Sequence, residues 1–315
     1  MYTFLYKIYF SLRRIQKETT FNNWRNKLAT KIIGYIEAYY NLYVVKQYRK
    51  HYSATYGVTK DKRKQKIIVS LTSYPGRIST TWIAVETLLR QSMKPDEIIL
   101  WLAREQFPSM EDVPIELRNQ QARGLTIRFC DDLKSHKKYF YVMQEYPDDI
   151  VILADDDIFY AKDLVKILWK LHQKNPEEII CMTAAKIYPH FDSNPSGWKK
   201  VGAKEHIEHS YVAQAYTGSG SLYPPGSISE KAFDKHAIST LCPSADDLWL
   251  KFFSLVNGTR TTEVYPFRFF EIMIYDTQKS SLWNINGPDG GANDRQWHAL
   301  VKNYPEEFQQ IEKLK

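Results

Sequence analysis

From residue 66 onward, short apolar runs alternate with stretches whose apolar residues recur at helical spacing. Lys66–Thr72, Glu97–Leu102, Leu125–Phe129 and Asp149–Ala154 have the length and character of buried strands. Between them, Thr80–Gln91, Ile115–Ala122 and His136–Glu145 carry a helical period. Strand and helix in alternation predict parallel β-α-β units with right-handed crossovers, hence an α/β sheet flanked by helices. After residue 154 the pattern predicts a helix over Ala161–Lys174 and a strand over Ile179–Ala184. An irregular stretch then runs from Tyr188 to Tyr216, broken by Pro189, Pro195, Gly197 and Gly202. Long loops of this kind commonly serve as lids or binding segments. Ahead of the first strand, residues 1–50 read as two helices broken near Thr19–Asn23, and His51–Lys66 as a polar linker. The division is therefore an arm and linker over 1–65 and a main domain over 66–315.

Charge sharpens that division. The 315 residues carry a net charge of +7, yet residues 1–66 hold 15 Lys/Arg against 3 Asp/Glu while residues 67–315 hold 28 against 33. Basicity belongs to the arm, which is also rich in aromatics (Tyr2, Phe4, Tyr6, Tyr9, Phe10, Trp24, Tyr35, Tyr39, Tyr40, Tyr43). Phe4, Leu5, Ile8, Leu12 and Ile15 recur at helical spacing among Lys7, Arg13, Arg14 and Lys17. Such a helix suits either the interface of an anionic membrane or packing of its apolar side on the main domain. Nucleic-acid binding is not expected. No apolar stretch reaches the roughly 18 to 20 residues of a membrane span, because Ile32–Val45 is interrupted by Gly34, Glu37 and Asn41. The scattered charge of residues 7–17 is unlike a secretory leader. Cys130, Cys181 and Cys242 are few, odd in number and far apart, which fits reduced thiols. The expected location is the cytoplasm, with the inner face of the plasma membrane as the peripheral alternative.

Candidate chemistry begins at Asp155, Asp156 and Asp157, directly after the apolar run Ile150–Ala154. Three adjacent carboxylates repel one another unless a cation compensates them, and hard divalent cations prefer oxygen ligands. Ligands in open α/β sheets bind beyond the carboxyl ends of strands. The alternative is a solvated turn capping the helix near Ala161. At the end of the first strand, Ser70-Leu71-Thr72-Ser73-Tyr74-Pro75-Gly76-Arg77 offers hydroxyls, a ring and a guanidinium suited to a base, a ribose and a phosphate, or else forms an ordinary Pro-Gly turn. Lys137 and Lys138 precede the acidic strand, where a lysine suits a diphosphate and equally suits a solvated helix face. Gly218-Ser219-Gly220-Ser221-Leu222-Tyr223-Pro224-Pro225-Gly226 permits close backbone approach to a ligand, or makes a hairpin bend. Asp246 and Asp247 open an apolar helical run through Leu248, Trp249 and Leu250. One of the pair suits an N-cap, and an ionised carboxylate there suits a general base. Asn293-Asp294-Arg295-Gln296-Trp297-His298 follows the glycine-rich Gly287–Gly291, and Asp294 or His298 is a further candidate for a metal shell or a structural role.

Taken in order, these segments resemble the GT-A class of glycosyltransferases, in the style of family 2. The likeness covers about residues 66–300 and is carried by the Ser/Thr-rich loop after strand one, Asp-X-Asp at Asp155–Asp157 and the acidic pair before an aromatic helix. Leu71-Thr72-Ser73-Tyr74-Pro75-Gly76-Arg77-Ile78 and Ala245-Asp246-Asp247-Leu248-Trp249 look like segments of bacterial enzymes that build capsular or lipopolysaccharide glycans. The resemblance implies a GT-A, Rossmann-like fold with a mixed, mainly parallel sheet. It also implies transfer from a nucleotide-sugar donor to a glycan or lipid-linked acceptor, with Mn²⁺ or Mg²⁺ and inversion at the anomeric carbon. By it, Thr72, Ser73, Tyr74, Arg77, Lys138, Asp155 and Asp156 meet the donor. Asp157 holds the metal beside Asp155, and His298, a candidate on its own chemistry, is expected to complete the shell. Gly218, Ser219, Gly220 and Trp249 face the acceptor, and Asp247 is the base. Family members usually have Glu-Asp where this chain has Asp246-Asp247, so the choice between the two acids stays open. A sugar nucleotidyltransferase would want a glycine-rich basic phosphate loop after strand one, which Pro75-Gly76-Arg77 replaces poorly. A non-catalytic carbohydrate-binding or scaffold protein of the same fold is the third reading.

Overall fold

The computed structural model describes residues 5, 8, 9, 11–13, 15, 16, 23–50, 56–200, 207–264, 271–277, 286 and 291–314. The expected helix break near Thr19, and Gly287–Gly290, lie outside them. The arm runs as a helix α1 (Trp24–Ala38), a π-helical turn (Tyr39–Val44) and a short helix α2 (Val45–Lys50). Asn23 caps α1, its side chain accepting from Arg25 N at 2.9 Å.

The body begins with β1 (Ile67–Thr72), α3 (Ile78–Leu89), β2 (Glu97–Ala103), α4 (Ile115–Gln120), β3 (Leu125–Cys130), α5 (Lys137–Glu145) and β4 (Ile150–Leu153). These follow the sequence expectation to within a few residues. Parallel ladders join β2 to β3, β1 to β2 and β1 to β4. Parallel strands covered on both faces read as continuous apolar runs, which is why they were visible in the pattern. Period-two alternation divides them between two cores. Ile67, Val69 and Leu71 pack with Trp82 and Val85 of α3, whereas Ile68, Ile99, Trp101 and Val151 pack with Tyr139 and Phe140 of α5.

Beyond β4 the chain departs from the simple alternation. It continues through β5 (Ile158–Phe159), α6 (Leu164–His172), β6 (Ile179–Cys181), β7 (Ala184–Lys186), β8 (Lys199–Lys200), β9 (Ala213–Ala215) and β10 (Ser221–Tyr223). Then come α7 (Lys235–Leu241), α8 (Asp246–Val256), β11 (Thr261–Glu263), β12 (Ile272–Met273), α9 (Ala292–Asn303) and α10 (Pro305–Ile311). The main sheet has the order β11-β6-β10-β4-β1-β2-β3, with β10 antiparallel to both β4 and β6. The architecture is the expected one: a mixed, mainly parallel sheet flanked by helices. Two details differ from expectation. The strand predicted over Ile179–Ala184 is two strands in different sheets, and the stretch read as irregular contributes β8 and β9 to a three-stranded antiparallel sheet with β7.

The arm shares the core of the body. Ile33, Ile36, Tyr40 and Val44 join the cluster on the α3 side of the sheet, and the Tyr40 ring meets Phe159 edge-on at 5.4 Å. Asn41, in the π turn, holds the backbone of the 271–277 segment at two points: its Nδ2 donates to Met273 O at 3.0 Å and its Oδ1 accepts from Tyr275 N at 2.8 Å. Among the described residues no helix is long and apolar enough to cross a membrane.

Candidate active site

Because β1 and β4 are parallel neighbours, their carboxyl ends deliver the Ser73–Arg77 turn and the aspartate triplet to the same place. The three carboxylates point to different partners. Asp155 stays partly exposed and accepts from Lys138 Nζ at 2.7 Å. Asp156 is buried, accepting from Ser73 Oγ at 2.5 Å and from Arg77 Nη1 at 3.0 Å. Burial raises its carboxyl above the usual range, against the pull of Arg77. Asp157 lies 2.8 Å from Arg77 Nη1, and its carbonyl accepts from Ile274 N at 2.8 Å. Arg77 therefore bridges two carboxylates, and it also donates from Nε to Thr277 O at 3.2 Å.

Lys138 connects this turn to the acidic pair. It opens α5, is almost fully buried, and reaches Asp246 Oδ2 at 2.9 Å as well as Asp155. Burial alone would lower its pKa, but Asp155 and Asp246 carry it well above the ordinary lysine value. Asp246 is buried yet held ionised, pulled down to about 2 despite burial by Lys138 and His136. His136 is itself buried between Cys242 O and the Tyr139 hydroxyl, at 2.8 and 3.1 Å. Burial depresses its pKa to about 4, so it packs beneath Asp246 as a neutral ring. Asp247 is half-buried and shifts the other way, to about 7, through burial and then the adjacent charge of Asp246.

The glycine-rich motif supplies the remaining wall. Thr217 N donates to Asp247 Oδ1 at 3.0 Å, and its hydroxyl bonds both Asp246 and Asp247. A Cβ on Gly218 would sit 1.8 Å from Asp155 Oδ2, so only glycine leaves that carboxylate its place. The Tyr160 hydroxyl fastens the same junction, accepting from Asp155 N at 2.6 Å and donating to Gly218 O at 2.5 Å. Ser219 donates to the Glu271 carboxylate. Gly220, at φ 104°, adopts a backbone that side-chain-bearing residues rarely take, with Leu164 packed where a Cβ would stand.

The cluster thus gathers Ser73, Arg77, Lys138, Asp155, Asp156, Asp157, Gly218, Ser219, Asp246 and Asp247. Thr72 stands at its edge, its hydroxyl donating to Trp101 O at 2.8 Å, and Tyr74 lies against Arg77, 5.8 Å from guanidinium carbon to ring centre. Two candidates fall outside. Trp249 is a core residue, not an acceptor contact: it is fully buried and its Nε1 donates to Ala232 O at 2.9 Å. The apolar period of α8 turns that side of the helix inward. His298 is not part of a metal shell: it lies on an exposed face of α9, paired with Asn194 Oδ1 at 2.6 Å. Nearby Asp294 holds Ser196 by its N–H and hydroxyl at 2.8 and 2.6 Å, so this motif stitches the 188–197 loop to α9. Lys137, the other lysine considered, turns to Asp132 at 2.5 Å. Sequence reasoning missed Thr217, Tyr160, His136 and Glu271. Of these, only Thr217 had a signal, as the hydroxyl residue directly before the glycine motif.

Among the described residues no three His, Cys, Asp or Glu side chains converge as a metal set. Magnesium-like cations commonly take one or two carboxylates and complete their shell with substrate phosphates and water. Asp155 and Asp157 offer the hard oxygen donors that mode uses, each here paired with a cationic side chain, Lys138 and Arg77. Among the described residues, Asp155, Asp156, Asp157 and Asp246 pair with two cationic side chains, Arg77 and Lys138.

No protein-family profile matches the sequence, and no curated protein matches it at significant similarity. Solved structures do. The chain is similar to the 1-349 portion of TarS from S. aureus, at 12% identity over 64% of this chain and 58% of that one, with a TM-score of 0.46. It is also similar to the mannosyltransferase PcManGT from Pyrobaculum calidifontis, solved with GDP-Man and Mn²⁺, at 9% identity over 98% of this chain and 84% of that one, TM-score 0.45. A 4-diphosphocytidyl-2C-methyl-D-erythritol synthase matches at 11% identity over 69% and 96% of the two chains, TM-score 0.40. The chain spans little more than half the length of the TarS portion. Each likeness is partial, and what the site can do follows from its own residues.

Proposed function

We propose that the chain is a metal-dependent glycosyltransferase that moves a sugar from a nucleotide-sugar donor to a hydroxyl of a glycan or lipid-linked acceptor, with inversion. The observation that carries this reading is Lys138, whose ammonium joins the triplet carboxylate Asp155 to the acidic-pair carboxylate Asp246. It makes one charged cluster of a donor-side element and a base-side element.

In this reading the Ser73–Arg77 turn receives the nucleoside and Asp155 and Asp157 would hold Mn²⁺ or Mg²⁺. When bound, that cation supplies Lewis-acid stabilisation of the departing diphosphate. Arg77 and Lys138 are the basic groups that would meet phosphate oxygens in this reading. Asp247 is the base, because a half-buried carboxylate with a pKa of about 7 takes up a proton near neutral pH far better than one at about 2. The acceptor oxygen bonds to the anomeric carbon and its proton passes to Asp247. The bond from that carbon to the diphosphate oxygen breaks, and the nucleoside diphosphate leaves with the electron pair. Asp246 acts through Lys138 and through its repulsion of Asp247. The setting we propose is cell-surface polysaccharide synthesis at the cytoplasmic face of the membrane, where lipid-linked acceptors are found.

The test is purified protein with a panel of nucleotide sugars, Mn²⁺ and glycan acceptors, followed by product analysis. Release of nucleoside diphosphate that is lost in Asp157→Ala and Asp247→Asn supports the reading. Pyrophosphate release from a nucleoside triphosphate and a sugar phosphate would replace it with nucleotidyl transfer.

A further inference from the structure

The arm spends one face on the body and leaves the other bare. Ala29, Ile33, Ile36, Tyr40 and Val44 are buried, while Trp24 is 71% exposed, Tyr35 65% and Leu42 67%, with Leu28 and Tyr43 also exposed. Those five are the majority of the nine large hydrophobic side chains that stand exposed among the described residues. At about 100° per residue, Trp24, Leu28, Lys31 and Tyr35 fall within about 60° of one another on α1. They form a stripe rather than a scatter. Arg25 and Lys27 stand exposed beside it, and Lys46, Arg49 and Lys50 extend the basic character beyond the π turn. Over Asn23–Lys50 these six Lys/Arg face one acid, Glu37, which is occupied by Arg13 at 2.8 Å. Exposed Tyr275 lies on the segment that Asn41 holds, and so adds a ring beside the turn.

We propose that this outward face of α1 and the π turn docks on the surface of an anionic phospholipid bilayer. Aromatic and aliphatic side chains enter the headgroup boundary while the lysines and arginines meet lipid phosphates. A second copy of the chain suits the face poorly. An isologous contact would set the same basic patch against itself, and like charges across an interface repel. The proposal concerns the arm and stands apart from the assignment of the reaction.

The experiment is flotation of the full-length protein with vesicles of phosphatidylcholine alone and of phosphatidylcholine with phosphatidylglycerol. Binding to the anionic vesicles about tenfold or more above the neutral ones, weakening as salt is raised, is the expected result. The paired variant Trp24→Ser/Leu28→Ser should lose about tenfold in binding. Its thermal unfolding should stay where it was, because both side chains are solvent-exposed. The charge variant Lys27→Gln/Lys31→Gln should weaken the anionic arm alone. Failure to float with anionic vesicles at low salt would overturn the proposal, as would a dimer in sedimentation that Trp24→Ser dissolves. A nucleoside diphosphate titration on the same sample keeps that failure distinct from failure of the transferase reading.

Discussion

Asp246 and Asp247 are adjacent in sequence and opposite in behaviour. Lys138 balances the charge of Asp246, and burial together with that adjacent charge raises Asp247 to about 7. A base must be deprotonated to act, so transfer should rise with pH through about 7 and level off above it, in a profile of kcat/KM against pH. Asp247→Asn should lower kcat by about 10² to 10⁴ while leaving nucleotide binding within a few-fold. Linkage gives the same residue a second signature. A folded pKa above the unfolded value contributes stability at low pH that is lost as pH rises from about 4 through about 7. The melting temperature of Asp247→Asn should therefore gain on that of the parent between pH 5 and 8, and a constant gap would refute the shift. At Gly218 the argument is steric. Gly218→Ala places a methyl where the Asp155 carboxylate stands, and about tenfold or greater loss of metal-dependent nucleotide affinity by calorimetry is expected, with the helical content unchanged.

Among the elements, the parallel half of the sheet was legible because β1, β2 and β4 are buried along almost their whole length and announce themselves as apolar runs, while the edge strand β3 shows period-two alternation. The antiparallel strand β10 was not. Ser221–Tyr223 is three residues long and lies inside a glycine motif that reads as a bend, so only its partners β4 and β6 define it. The triplet, the β1 turn, Lys138 and the acidic pair were legible as separate residues. Their meeting depends on side-chain contacts that no local pattern encodes. Trp249, set against the acceptor by the resemblance, is turned inward by the helical phase of α8. The arm's link to the aspartate triplet was equally hidden. Asn41 holds Met273 and Tyr275, and Ile274 between them bonds the carbonyl of Asp157. Asn41→Leu removes the Asn41 bonds to both residues, for about 1 to 3 kcal/mol of stability. It should also weaken metal-dependent nucleotide binding, whereas an arm without influence on the site would lose stability alone.

For the whole molecule, the charge division seen in composition becomes spatial. A basic arm packs on an acidic body, and Asp155, Asp156 and Asp157 gather where the carboxyl ends of β1 and β4 meet. In the reading proposed above, a divalent cation with a nucleoside diphosphate is the ligand of this cluster, because its carboxylates are hard oxygen donors. The most direct test is a calorimetric titration of nucleoside diphosphates into the full-length protein with and without Mn²⁺, repeated with Asp157→Ala. Binding of at least one nucleotide that requires Mn²⁺ and is lost in Asp157→Ala is the predicted result. Binding that is indifferent to both Mn²⁺ and Asp157, or absent for every nucleotide, would contradict the assignment of this cluster as a metal-dependent donor site.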